Sequence, residues 1–431
     1  MGNGDIYMKT FQPKLFTTFK NKSYKPKDLV SDLVAGLIVA IIALPLSIAL
    51  AIASGATPET GLYTAIVAGF VISALGGSRV NISGPTAAFA TIVAGIIATQ
   101  GMEGLMLATI MAGIILVVLG LCRVGSLIKF IPHTITVGFT AGIAVTLVIG
   151  QLKDFLGLSY PAGTTAIETL DKLVLVFQNI KTINLWSVLV GVVGLAILIV
   201  WPKFSKKIPG SLIAVLIGAL IVGVFSMSVN TIGTLYTLQS GLPSIKLPTV
   251  TLDKIITLFP SAITIALLAG IESLLSCVVS DGMINDKHNS NTELIAQGVG
   301  NLCVGFIGGI PATGAIARTA ANVRNGGRSP IAGMTHAIVL LLVLVVLIPY
   351  ASLIPMPIIA AILFIVAYNM SEWREFVHIV KTSKWTDILV LVLTFALTVI
   401  FDLVKAIAVG MVVHYVIFFI TKKISNSKKE N

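Results

Sequence analysis

The chain has 431 residues, of which 56% are hydrophobic and only 11% are charged, and its mean hydropathy is +0.99. Because an average soluble domain carries about 25% charged residues, a soluble core cannot accommodate this much apolar surface. Apolar runs also fill nearly the whole length, which excludes a protein with a single membrane anchor. The composition therefore predicts an all-α polytopic membrane protein whose main solvent is the lipid bilayer.

The formal net charge is +11. Basic loops are typical of the cytoplasmic side of membrane proteins, whereas no basic stripe with interleaved aromatic residues indicates nucleic-acid binding. The three cysteines lie in apolar runs and lack the spacing of a disulfide framework or a metal site. We therefore expect small core residues, with neither metal nor cofactor, at Cys122, Cys277 and Cys303.

Apolar runs of about 20 residues, the length that crosses a bilayer, follow one another along the chain. The first begins only after a polar, Lys-rich stretch, so we expect no cleaved signal peptide. Two further segments, 84–99 and 313–324, are shorter and follow stretches rich in Gly and Pro. The full-length runs are 29–53, 57–76, 103–122, 127–151, 184–202, 209–227, 254–282, 290–308, 329–349, 354–370, 384–401 and 402–421.

The distribution of Lys and Arg predicts the orientation. The N-terminal arm, 1–28, and the tail, 422–431, are both rich in Lys, so we expect both termini in the cytoplasm of a cell with the protein in its inner (plasma) membrane. Both termini on one side require an even number of spans. That number is fourteen if the two short segments enter the membrane and twelve if they do not.

The two halves of the transport domain, 29–421, share a pattern of segments. Repeat 1, about 29–227, and repeat 2, about 254–421, each contain one short third segment and a fifth span that begins near a proline. Seven spans per half is an odd number, so the second half must be inverted. Inverted repeats with paired broken helices are typical of secondary transporters, although chance similarity among apolar segments is the alternative.

The two short segments are the candidates for the chemistry. At 1.5 Å per residue, helices over 84–99 and 313–324 would be about 24 Å and about 18 Å long, too short for a hydrocarbon core of about 30 Å. Each must begin in mid-membrane after extended chain, for which 80–83 and 307–312 are the predicted strands. Such backbone is tolerated only where protein buries it or where it lines a cavity.

Two helix N-termini at one mid-membrane cavity would present free N–H groups and positive dipole ends to an anion. Pro85 suits the first helical turn. Small residues let an anion approach the amides, although they would also suit two elements that only pack against each other. The small positions are Thr86, Thr313, Gly314 and Ala315.

Glu272 lies in the middle of an apolar run, where a carboxyl group is costly and marks a functional site by default. A buried carboxyl group there is a candidate proton carrier, and Ser276 follows one helical turn later on the same face. Arg318, in the second turn of the second short helix, would add positive potential or pair with Glu272. The alternative is a purely structural Glu272–Arg318 ion pair.

Several strings resemble the SulP family of anion transporters, the bacterial relatives of solute carrier family 26. The resemblance covers roughly residues 28–421, and the ordered set is more specific than any one string. The strings include Ala43-Leu44-Pro45-Leu46-Ser47, Ser83-Gly84-Pro85-Thr86-Ala87, Glu272-Ser273-Leu274-Leu275, Gly308-Gly309-Ile310-Pro311 and Arg318-Thr319.

The resemblance implies a fold of fourteen helices in a seven-plus-seven inverted repeat, with a gate domain that moves against a core domain. It places the substrate between the third and tenth helices, beside the first, and the coupling proton or cation at Glu272 and Ser276. The matching substrate positions, with the small residues already identified, are Leu46, Ser47, Leu50, Pro85, Thr86, Ala87, Thr313, Gly314, Ala317 and Arg318.

Two departures from the family pattern qualify this implication. Many relatives have Gln where this chain has Leu46, which removes one side-chain hydrogen bond to the substrate. The family also usually continues into a cytoplasmic STAS domain, which is not in this sequence, so a homodimer of the family type stays an open expectation. Glu rather than Asp at 272 favours protons over Na⁺ as the coupled ion.

The sequence thus predicts a proton-coupled secondary transporter of a small anion such as sulfate, bicarbonate or a C4-dicarboxylate, working by an elevator-like motion. The alternatives are a nucleobase:proton symporter, a passive anion channel or a scaffold that does not transport. Against the symporter, Glu272 has no acidic partner in the tenth segment. An enzyme is not supported, because HExxH, Walker and GxSxG motifs are missing.

Overall fold

The computed structural model of the chain describes residues 11–20, 24–126, 132–161, 164, 166, 168–205, 208–238, 241–401, 406 and 409–417. The first half of this described part is almost entirely helical. Its elements are α1 (Lys14–Lys20), α2 (Pro26–Ala53), α3 (Pro58–Leu75), β1 (Ser83–Gly84), a 3₁₀ turn (Ala87–Phe89), α4 (Ala90–Leu121), α5 (His133–Leu156), α6 (Thr169–Gln178), a 3₁₀ turn (Ile180–Thr182), α7 (Leu185–Phe204) and α8 (Gly210–Val224).

The second half repeats this design of long helices interrupted by one short strand. Its elements are α9 (Ile232–Leu235), α10 (Leu252–Ile284), α11 (Ser290–Phe306), β2 (Thr313–Gly314), α12 (Ile316–Arg324), α13 (Pro330–Ala351), α14 (Met356–Met370), α15 (Trp373–Thr382) and α16 (Trp385–Ile400).

Within the described residues, eight helical segments are long and apolar enough to cross a membrane, and α8 and α16 are shorter apolar helices. The polytopic helical fold is therefore confirmed, while the number of fourteen spans stays a prediction. The predicted last span, 402–421, is described only at 406 and 409–417, and the tail 422–431 lies outside the described residues.

Proline and glycine set several of the helix boundaries. Pro26, Pro58 and Pro330 occupy the first turn of their helices, where the missing N–H group costs nothing. Gly101, with φ of 68°, interrupts α4 and divides it into a short helix that ends at residue 100 and a long one that follows. The short third segment that the sequence predicts is therefore present. It lies between the strand and this glycine.

The helices form two bundles with extensive packing inside each and little between them. We call α2, α3, α4, α10, α11, α12 and α13 the core bundle, and α5, α7, α8, α14 and α16 the gate bundle. Glycines allow the closest approach in the core bundle, since a Cβ on Gly298 of α11 would lie 2.6 Å from the carbonyl oxygen of Gly113 of α4. This grouping corresponds to the core and gate domains that the resemblance implies.

The N-terminal arm docks on one end of the core bundle. The backbone N–H of Lys14 donates to the carbonyl of Gly76 (2.9 Å), and its Nζ lies 3.0 Å from a carboxylate oxygen of Asp286. Helix α2 begins at Pro26, three residues before the predicted start of the first span. Asp32 of α2 accepts hydrogen bonds from the backbone N–H groups of Arg328 and Ser329, just before α13, and so links the two helices.

Candidate functional site

The strands β1 and β2 form an antiparallel pair in the middle of the core bundle, with Ser83 opposite Gly314 and Gly84 opposite Thr313. The sequence prediction of two short crossed strands is correct in kind but displaced along the chain. Residues 80–82 and 307–312 are the approaches to the ladder rather than the ladder itself. Beyond the pair, the N–H of Ala315 donates to the carbonyl of Ile82 at 2.8 Å.

Side chains from neighbouring helices satisfy the backbone of the chain that leads to β2. Asn301 of α11 both accepts from the N–H and donates to the carbonyl of Ala312, each at 2.9 Å. Thr64 of α3 does the same for Ile310, each at 2.8 Å. Extended backbone can exist at membrane depth only when its polar groups are paired in this way.

A helix begins directly after each strand. Thr86 precedes the 3₁₀ turn that leads into α4, and Ala315 precedes α12, and neither N-terminus has a side-chain cap. Thr86 and Ala315 are half-buried, whereas Ala317 is exposed. The two uncapped N-termini thus border space that solvent reaches, and they offer it N–H groups. Pro85 lies between strand and turn, not inside the first helical turn as predicted.

Glu272 faces the first of these N-termini. It lies two-thirds of the way along α10, it is half-buried, and its Oε2 accepts a hydrogen bond from Oγ1 of Thr86 at 2.9 Å. The predicted alternative, an ion pair between Glu272 and Arg318, is wrong, because no such pair occurs among the described residues. The carboxylate is instead hydrogen-bonded to a predicted substrate-binding residue.

Arg318 lies against the strand pair and is only 2% exposed. One of its amino groups donates to the carbonyl of Pro85 at 2.6 Å, while Nε and the other amino group have no partner among the described residues. Gly84 lies against it, and a Cβ built on this glycine would displace the guanidinium group. Arg318 therefore supplies positive potential beneath the two N-termini rather than an exposed hydrogen-bond donor.

Glu293 of α11 is a second buried carboxylate that the sequence analysis missed. It is 1% exposed and accepts five hydrogen bonds. Its position four residues before Gln297 and eight before Asn301 forms a polar stripe at helical spacing, which is the signal that reveals it. The five donors are the backbone N–H groups of Gly77 and Ser78 and the side chains of Asn81, Ser273 and Gln297.

Ser276 belongs to the hydrogen-bond network around Glu293 through their shared partner Asn81. Its hydroxyl donates to Oδ1 of Asn81 (2.8 Å) and lies 3.1 Å from Oγ1 of Thr319, rather than facing Glu272. It is one turn after Glu272 in sequence but contacts Asn81, just before β1, and Thr319 of α12. Ser276 therefore supports the approach to β1, and its role in coupling stays a prediction.

Seven of the ten predicted substrate residues are buried rather than exposed to open space, namely Ser47, Leu50, Pro85, Ala87, Thr313, Gly314 and Arg318. Leu50 packs in the hydrophobic core between α2 and α3, and the hydroxyl of Thr313 donates to the carbonyl of Ala269 at 2.7 Å. Ser47 is fully buried, and its hydroxyl has no partner in the described part of the chain. Leu46 is half-buried beside Pro45, which interrupts the hydrogen-bond pattern inside α2.

No group of three or more His, Cys, Asp or Glu side chains in the described ranges is arranged to hold a metal ion. A cavity of about 600 Å³ lies between the two bundles at the end away from the N-terminal arm, and it reaches Ala88 and Thr91 just after the first helix start. The site therefore combines two uncapped helix N-termini, one buried cation and one carboxylate. That combination suits a small anion with a coupled proton or cation.

Comparison with known proteins identifies the family. The Sulfate permease family matches residues 29–394 of the chain. The chain belongs to the sulfate permease (SulP) family. It is 45% identical over 368 residues to the putative sulfate transporter YvdB of Bacillus subtilis, a match that covers 85% of this chain and 69% of that protein.

The bicarbonate transporter BicA of Picosynechococcus is 33% identical over 391 residues, with 88% of this chain and 68% of that protein covered. A solved structure of the transmembrane domain of a cyanobacterial BicA superposes with a TM-score of 0.79 at 29% identity and covers 91% of this chain and 98% of that one. Family and fold together make the protein a multi-pass membrane transporter of small anions and not an enzyme.

Proposed function

We propose that the protein transports a small oxyanion, sulfate or bicarbonate, by secondary active transport coupled to protons through Glu272. The observation that carries the proposal is the 2.9 Å hydrogen bond between Thr86 and Glu272, which joins a substrate-binding position to the coupling group. Named relatives support the choice of substrates, since they include a putative sulfate transporter and a bicarbonate transporter.

The coupling follows from charge. While Glu272 is ionised, its carboxylate accepts a hydrogen bond from the hydroxyl of Thr86. The carboxylate also places a negative charge at the anion site. An anion held about 6 Å away would then be repelled by about 3 kcal/mol at an effective dielectric constant of about 20. Protonation of Glu272 removes this repulsion and frees the Thr86 hydroxyl to turn toward the anion.

Anion and proton consequently favour each other's binding, as any two linked ligands must. With Glu272 protonated, the remaining charges near the site are the guanidinium of Arg318 and the two helix N-termini, all of which favour an anion. Na⁺ could replace the proton as the neutralising ion, and Thr86 with Glu272 would offer it oxygen ligands. The glutamate side chain favours the proton.

An elevator-like motion fits the division into bundles. Every predicted substrate and coupling residue lies on α2, α10 or α12 of the core bundle, on the strand pair, or in the segment 85–87 after β1, so the bound ions would move with that bundle as one body. The core and gate bundles contact each other only sparsely, so the core bundle could slide along the gate bundle at this interface. Shear between packed helices is a known mode of large conformational change.

The test is uptake of radiolabelled sulfate and bicarbonate into proteoliposomes with an inward proton gradient. We expect wild type to accumulate one of these anions and Glu272→Gln, which mimics the protonated acid, to exchange it without accumulation. The matched control is Glu103→Gln, an exposed glutamate whose loss leaves the site intact.

Equal accumulation by wild type and Glu272→Gln would refute the coupling role while leaving anion transport standing. Accumulation that follows a Na⁺ gradient instead would reassign the coupled ion. If neither anion is transported under any gradient, the proposed substrates are wrong.

A nucleobase:proton symporter is the less favoured function, because its site would need a second carboxylate beside Glu272. Glu293 does not fill that role, because it is buried and both of its carboxylate oxygens already accept hydrogen bonds from groups around the approach to β1. Competition by uracil in the anion uptake assay distinguishes the two functions, and we expect none.

A further inference from the structure

A narrow crevice separates the core and gate bundles at the end away from the N-terminal arm. It has a volume of about 20 Å³, enough for one water molecule, and its floor is formed by Ala87 and Ala90 at the first helix start of the anion site. Ala53, at the far end of α2, lines it from the core side. The crevice therefore lies beside the proposed substrate position, at this end of the molecule.

Small residues of both bundles line the crevice together with the larger side chains of Leu147, Gln151 and Lys172. Gly150 of α5 lines it from the gate side, and a Cβ built on this glycine would meet no atom within 4 Å. Next to it, Oε1 of Gln151 is buried without a hydrogen-bond partner in the described part of the chain. A small shift of the gate bundle would therefore widen the crevice beside Gly150.

Lys172 is the one charged residue among the described residues that line this crevice. It lies on α6, an amphipathic helix that packs against α5 at this end of the gate bundle, and it is half-buried. Its ammonium group makes no hydrogen bond or ion pair with any residue the structure describes. Its acidic neighbour Asp171 is exposed, and Glu168 lines the larger cavity instead.

Burial lowers the pKa of Lys172, because removal from water disfavours the charged form. An anion beside the ammonium group would restore that form. A cation without a counterion at the mouth of a passage also attracts anions over distances of several ångströms and raises their rate of arrival.

We propose that Lys172 is a recruitment residue for the transported anion, which it holds at the mouth of the crevice before the anion reaches the helix start at Ala87. With both termini in the cytoplasm, as the Lys-rich arms predict, this mouth faces the outside of the cell. This inference rests on the proposed anion transport and adds a residue that acts on substrate capture rather than on coupling.

The experiment compares sulfate and bicarbonate uptake kinetics of wild type, Lys172→Gln, Lys172→Glu and Lys172→Arg. The matched control is Lys181→Gln, an exposed lysine in the turn that follows α6. We expect Lys172→Gln to raise KM by about 3- to 10-fold with kcat within about twofold, since a charge at an access route changes capture more than the transport step.

Lys172→Glu should raise KM further, Lys172→Arg should restore it, and the KM difference between wild type and Lys172→Gln should shrink as ionic strength rises. A second measurement, anion-dependent thermal stabilisation in detergent, reports binding without transport. There, Lys172→Gln should need a higher anion concentration than wild type for the same shift in Tm.

If wild type transports the anion and Lys172→Gln matches Lys181→Gln in both assays, the recruitment role is refuted and the proposed function survives. A loss of kcat with unchanged KM would also overturn it, because that result indicates a structural role. If wild type neither transports nor is stabilised by either anion, the proposed function fails and takes this inference with it.

Discussion

Replacement of Glu293 by Gln tests whether a buried carboxylate fixes the strand pair. The substitution keeps the shape of the side chain but turns one acceptor oxygen into an NH₂ donor. Whichever way the new amide points, that NH₂ group meets groups that are themselves donors. On one side these are the backbone N–H groups of Gly77 and Ser78, and on the other the side chains of Asn81, Ser273 and Gln297.

Rotation of the partners cannot repair both sides. The amide of Asn81 is held in place because its Oδ1 accepts from Ser276 (2.8 Å) and Thr319 (3.0 Å). At least two buried donors therefore lose their acceptor, at about 1–3 kcal/mol each. We expect Glu293→Gln to lower the free energy of unfolding by about 4 kcal/mol.

The assay is denaturant unfolding in detergent micelles followed by tryptophan fluorescence, alongside anion uptake. Glu103→Gln makes the same chemical change at a side chain that is 59% exposed and 3.4 Å from Lys254, so it should cost about 0.5 kcal/mol or less. Equal stability of the two variants would refute the reasoning. Uptake should fall with Glu293→Gln, because Asn81 leads directly into β1.

Two further predictions concern the strand pair and the N-terminal arm. Gly314→Ala should lower stability and uptake, because the added Cβ would lie 2.6 Å from the amide nitrogen of Asn81, whereas Gly223→Ala, in open space, should cost nothing. Asp286→Asn should remove the ion pair with Lys14 and weaken docking of the arm by about 1 kcal/mol, seen as faster amide hydrogen exchange over residues 11–20.

The docking of the arm should also depend on pH. Burial by itself would raise the pKa of Asp286, but hydrogen bonds from the backbone of Lys287 and from Lys14, with the charge of Arg79, hold it below its usual value. A carboxylate with a lowered pKa stabilises the folded state above its unfolded pKa of about 4 and loses this contribution as pH falls. Protection factors over residues 11–20, which divide out the intrinsic pH dependence of exchange, should thus be high at pH 7 and lower below about pH 4. A wild-type pH profile identical to that of Asp286→Asn would contradict this.

Local sequence features were enough to predict the helical class and the two short segments of this protein. Apolar runs predicted the helices, and the Gly-Pro stretches at Gly84 and Gly308 predicted two short segments that begin in mid-membrane. Both signals are local, because bilayer thickness fixes the length of a span and an interrupted helix shows in its own residues. Glu272 was found for the same reason, as a carboxylate within an apolar run.

The hydrogen-bond partners of the polar side chains could not be predicted from local sequence features. Ser276 follows Glu272 by one turn, yet it contacts Asn81, which is 195 residues away in sequence. Arg318 bonds to Pro85 across 233 residues and not to the glutamate that sequence reasoning paired with it. Helical spacing predicts which residues share a face, but not which element that face meets.

The sequence by itself therefore determined the solvent of this protein, its helical class, its two broken segments and the family to which it belongs. Only the tertiary structure decided the register of Ser83 on Gly314, the support that Glu293 gives to β1 and the placement of Lys172 and Ala87 at one crevice. The reason is physical. Hydrophobicity acts residue by residue along the chain, whereas a buried polar group is placed by partners that only the folded bundle brings within 3 Å.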